Sequence, residues 1–111
     1  MTIDSLISQY RLISSFLNDR WPLKNHEHRT FARTMKIMEE LGELSDEILT
    51  SMNLQRNTKI EKFSRTNIED EFADVMGSLI LLGIELDIDI EKVKQRKIDF
   101  TRDRFGMDDE K

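Results

Sequence analysis

Two short stretches hold acidic side chains at spacings that could do chemistry. The first contains Glu39, Glu40, Glu43 and Glu47, and the second contains Glu71, Asp74 and Glu85. At about 100° per residue, Lys36, Glu40, Glu43 and Glu47 fall on one narrow stripe of a helix, with Glu39 at its border. Glu71, Asp74, Ser78 and Glu85 form a similar stripe on another. Carboxylates three residues apart on a helix are neighbours and can approach one ion. Side by side, the two helices would bring Glu40 and Glu43 opposite Glu71 and Asp74. Such a cluster repels itself, raises its own pKa values and destabilises the fold unless a cation enters. All-oxygen ligation favours Mg²⁺, Mn²⁺ or Ca²⁺ over zinc or copper. Mg²⁺ held by a few carboxylates also engages phosphates and activates water. Acidic stripes are ordinarily solvated faces, and spacing alone leaves that reading open.

These acids depend on helices to position them, and the chain reads as four. The first spans about 2–17, with Ile3, Leu6, Ile7, Tyr10, Ile13 and Leu17 at helical spacing and Leu12 and Phe16 on a second face. So wide an apolar arc implies more than one packing neighbour. A loop at 18–25 contains Trp21-Pro22. The second helix runs from about 28 to 52, with Phe31, Met35, Met38, Leu41, Leu44, Ile48 and Leu49 as its expected buried side. The polar stretch 53–65 reads as a mobile connection. Thr66-Asn67-Ile68-Glu69 has the form of a capping box and should open the third helix, whose apolar side carries Ile68, Phe72, Val75, Met76, Leu79, Leu82 and Leu86. Asp89 is placed to cap a fourth helix over 90–105, with Gly106 as its stop. The second and third helices should lie antiparallel.

Composition sets outer bounds. The 111 residues suit a single domain, 1–111, and 35% charged residues with one proline and four glycines favour an all-α fold. The net charge of −5 argues against nucleic-acid polymers and anionic membranes as partners. Absence of cysteine excludes disulfides and thiolate metal sites. Met1-Thr2-Ile3-Asp4 has no signal-peptide character and no apolar run reaches membrane-span length, so a cytoplasmic location is expected. No Gly-rich phosphate loop is present, and His26-Glu27-His28 lacks zinc-helix spacing.

With these elements in place, the sequence resembles a known family. Glu39-Glu40-Leu41-Gly42-Glu43 matches the Glu-Glu-x-x-Glu motif of the MazG-like, all-α nucleoside triphosphate pyrophosphohydrolases, and Glu71-Phe72-Ala73-Asp74 matches its Glu-x-x-Asp motif. The resemblance covers roughly 21–104. It implies a four-helix MazG-like bundle completed by oligomerisation as a homodimer or homotetramer. It implies Mg²⁺, with Mn²⁺ as a substitute, held by Glu40, Glu43, Glu71 and Asp74, with Glu39 as a further catalytic acid. The implied reaction hydrolyses an NTP or dNTP to the monophosphate and pyrophosphate. Trp21 lies where the family often has an aromatic residue near the base. Lys36, Lys97, Arg102 and Arg104 are candidate substrate-binding cations, although Asp99-Phe100 departs from the family's Lys-Asn pair. The alternative of another class is a catalytically silent helical interaction module that retains an acidic metal-binding face.

Overall fold

In a computed structural model the described residues, which are 1–21, 23, 25–54 and 64–107, form four α-helices and no strand. The helices are α1 (Ile3–Arg20), α2 (His26–Ser51), α3 (Arg65–Glu85) and α4 (Ile90–Arg104). Most of the connection expected over 53–65 lies outside the described residues.

Side-chain caps set each beginning. Thr2 accepts from the Ser5 amide, Asn25 from His28 and Asp89 from Lys92. The cap of α3 is Ser64, which accepts from the Asn67 amide at 3.3 Å, so the expected capping box at Thr66 does not form. Thr66 lies inside the first turn instead. Gly106 follows the end of α4 with φ +63°, the conformation expected of a glycine stop.

The main interface joins α2 to α3, with α1 against α3. Arg29 of α2 meets Glu85 of α3, Arg33 meets the Leu81 carbonyl, and Glu40 and Glu43 meet Glu71. Advancing along α2 therefore retreats along α3, and the pair is antiparallel. At the α1 contact, a Cβ added at Gly77 would collide with the Tyr10 ring and hydroxyl, so glycine permits that close approach.

The expected buried side of α2 is not what packs against α3. Phe31 and Met38 are 69% and 63% exposed, and Met35, Leu41, Ile48 and Leu49 are also exposed. On α3, Phe72 is 62% exposed, with Met76, Leu79 and Leu86 exposed too. The reason is register: the polar stripes of both helices meet at the interface, which turns the apolar stripe of α2 to the opposite side. Ile7, at 7% exposure, is the one large apolar side chain that is buried among the described residues.

Among the described residues, no helix is long and apolar enough to cross a membrane.

Glu85 ties one end of the α2–α3 interface together. Its side chain is 6% exposed and accepts from His26 Nδ1 at 2.6 Å and Arg29 Nε at 3.0 Å, with Arg33 Nε at 3.9 Å. Glu85→Ala leaves two guanidinium groups without their counter-charge, and removing one partner of a buried pair is strongly destabilising. The expected loss is about 2–4 kcal/mol, toward the lower part of the range because Arg29 and His26 reach solvent. Urea denaturation of the variant measures it, and a loss under about 0.5 kcal/mol would contradict this role.

Candidate metal centre

At the other end of the same interface the compensation is missing. One carboxylate oxygen from each of Glu40, Glu43 and Glu71 lies within 4.8 Å of the other two. Glu40 and Glu43, three residues apart, project from adjacent turns of α2, and Glu71 comes from the second turn of α3. Glu40 is buried at 7% exposure, Glu71 is half-buried and Glu43 is exposed. Glu40 Oε2 and Glu71 Oε2 are shielded from solvent and have no hydrogen-bond partner. Buried carboxylate oxygens without donors are costly, and a cation is the partner that satisfies several at once.

The Glu71 pKa is raised above the usual carboxylate range. Desolvation is the largest cause, followed by the charge and proximity of Glu43, then the charges of Asp74 and Glu40. Lys36 offsets part of the excess. Its Nζ lies 3.1 Å from both Glu39 Oε1 and Glu40 Oε1, and those two contacts raise its own pKa. Glu85 titrates in the opposite direction. Desolvation pushes it up, but the Arg29 and His26 hydrogen bonds and the two arginine charges outweigh this and hold it below the usual range.

The structure thus brings together Glu40, Glu43 and Glu71, with Lys36 beside them. Asp74 is exposed and falls outside the three-oxygen cluster, although its charge is felt at Glu71. Glu39 is exposed and pairs with Lys36.

Next to the acids is a cavity of about 420 Å³ whose walls include Asn18, Trp21, Arg29, Arg33, Lys36 and Ser78. Lys36 belongs to both the cavity wall and the carboxylate cluster, so the two adjoin. Of the expected substrate-binding residues, Trp21 and Lys36 line this cavity, whereas Lys97, Arg102 and Arg104 do not. Lys97 lies over the Phe100 ring at 4.7 Å and borders a separate apolar cavity between α3 and α4. Arg104 lies over Phe105.

Arg29 and Arg33 line the cavity next to the acids and pair with Glu85, a group that sequence reasoning did not single out. The available signal was Arg29 and Arg33, four residues apart and continuing toward Lys36 on the stripe that holds the acids. No family model, curated protein or solved structure matches the chain.

Because the folded protein raises the Glu71 pKa, ionised Glu71 opposes folding. That penalty is present above the folded pKa and is relieved as pH falls through it toward the unfolded value, so this group makes metal-free stability decline with rising pH. Glu71→Gln removes the titration. The expected result is a metal-free melting temperature equal to or above wild type, with the gap widening from about pH 4.5 upward. Thermal melts in chelator across pH check this, and a gap that narrows with rising pH would contradict it.

Proposed function

We propose that this chain is a MazG-like all-α nucleotide pyrophosphohydrolase that uses Mg²⁺, or Mn²⁺ in its place, to convert an NTP or dNTP and water to the monophosphate and pyrophosphate. The observation that carries the reading is the pair of buried, unpartnered oxygens on Glu40 and Glu71 within a three-carboxylate cluster beside a cavity bearing Trp21 and Lys36. The ordered Glu-Glu-x-x-Glu and Glu-x-x-Asp motifs add to it.

Glu40, Glu43 and Glu71 would hold the cation, with Asp74 one turn further along α3 as the fourth acid. When bound, a hard divalent ion supplies charge neutralisation for phosphates and lowers the pKa of a coordinated water. The protein's own groups do the remainder. Lys36 presents positive charge between acids and cavity, Trp21 offers a ring face for a base, and Glu39 holds Lys36 in place. This chemistry relies on electrostatic stabilisation and positioning, without a covalent nucleophile.

The same reading includes a homodimer or a larger closed homo-oligomer. The outward stripe of Phe31, Met35 and Met38 on α2 is a surface that a second copy would cover. Light scattering at micromolar concentration should give at least twice the 13.2 kDa chain mass, and Met38→Glu should shift the population toward monomer. A wild-type monomer would reject the oligomer.

Incubation with a panel of NTPs and dNTPs plus Mg²⁺ should release pyrophosphate. Glu43→Gln should lower kcat/KM at least as much as loss of a supporting residue around a metal, roughly 10- to 100-fold, while the helices stay folded. Orthophosphate as product would mean a different reaction. No release across the panel would favour the helical interaction module.

A further inference from the structure

We propose that Asn18 makes the cavity selective for nucleotides with a carbonyl at the 4-position of a pyrimidine or the 6-position of a purine. This inference rests on the cavity being the nucleotide site described above. Arg33 Nη2 donates to Asn18 Oδ1 at 2.9 Å. A guanidinium has five donors and no acceptor, so this bond fixes which end of the amide is which. The oxygen is taken up by Arg33, and the amide nitrogen has no hydrogen-bond partner among the described residues. Asn18 therefore offers the cavity wall a donor.

The orientation is held from behind. Arg33 Nη1 also donates to the Leu81 carbonyl at 3.0 Å, and its side chain is 12% exposed beside Glu85. Turning the Asn18 amide over would point its NH₂ group at a guanidinium, donor against donor.

The cavity is polarised along α2. Lys36 and the carboxylates occupy one end, and Arg33 lies seven residues before Glu40, about 10 Å along the helix axis. Phosphates directed to the Lys36 end leave the base toward Arg33, Trp21 and Asn18. There Arg29 donates to Glu85 and the Leu23 carbonyl, and Arg33 to the Leu81 carbonyl and Asn18, so both guanidinium groups are already engaged by protein oxygens and this end suits an uncharged base better than a phosphate. With Trp21 against its face, the distal edge of the base meets Asn18. A carbonyl accepts from the amide nitrogen, as in uracil, thymine or guanine. The amino group of cytosine or adenine would set donor against donor and leave both unsatisfied.

The test measures binding of the α,β-imido analogues of dUTP and dCTP to the full chain with Mg²⁺ by calorimetry. Wild type should bind the dUTP analogue at least tenfold more tightly. Asn18→Asp keeps an oxygen for Arg33 and replaces the donor with an acceptor, so the dUTP:dCTP ratio should fall at least tenfold. Equal binding by wild type, no binding of either analogue, or an unchanged ratio in a variant shown by circular dichroism to be folded would overturn the assignment. If the variant does not fold, the wild-type ratio decides. Pyrophosphate assays with dUTP and dCTP separate this claim from the one beneath it. Selective binding without turnover sinks the hydrolase reading and leaves Asn18 as the selector. Turnover of both substrates at equal kcat/KM sinks the Asn18 assignment alone.

Discussion

The interface between α2 and α3 is built from charge, and the rest of the structure depends on how that charge is balanced. At one end the Glu85 carboxylate is met by His26, Arg29 and Arg33, so its own buried charge is compensated. At the other, Glu40, Glu43 and Glu71 face one another with Lys36 as the nearest cation. Buried charge is costly unless paired and hydrogen-bonded, so the two ends have opposite consequences. The compensated end fixes the register of the antiparallel pair. The uncompensated end is brought close by that register.

Placing polar stripes at the interface also sets where the apolar ones go. A helix has one face toward its neighbour, and on α2 that face carries Arg29, Arg33 and Glu40. Phe31, Met35 and Met38 are left pointing away from α3. A chain that spends its internal contacts this way has little hydrophobic stabilisation of its own, as a single buried large apolar residue among those described shows. Anything that binds the folded form, whether ion or second copy, adds stability by mass action. The acidic cluster and the outward apolar stripe are thus two results of one choice of interface.

Helical periodicity made much of this legible in the sequence. The four helices, the Asp89 cap, the Gly106 stop and the coincidence of Lys36, Glu40 and Glu43 on one stripe all follow from local rules. The exposure of the apolar side of α2 does not. Periodicity places the acids of α2 opposite those of α3, but the usual preference for apolar burial would also cover Phe31, Met35 and Met38, which stand exposed. That choice is decided by pairings between residues 48 to 59 positions apart, such as Arg33 with Leu81 and His26 with Glu85, which no local pattern encodes. Ser64 in place of Thr66 is a smaller case of the same kind, because both are competent caps and only two residues separate them. Asp74 matches its motif but stands outside the three-oxygen cluster, since sequence spacing fixes a helix face and not a side-chain position.

The charge balance at the acidic end also says what kind of partner it needs. Four carboxylates, Glu39, Glu40, Glu43 and Glu71, face one ammonium group, Lys36, for a formal deficit of three. Lys36 is already committed to one oxygen of Glu39 and one of Glu40, and it leaves Glu40 Oε2 and Glu71 Oε2 without a partner. A second lysine would add one charge on a long stem that must itself be buried, at further cost in side-chain entropy. Protonating Glu71 is the internal relief, and its pKa is raised in the direction that favours it. A small divalent ion removes two charges and accepts one oxygen from each acid without adding a side chain. Proton and cation would therefore compete for the same oxygens, and the raised Glu71 pKa has the same origin, negative charge crowded where water is excluded.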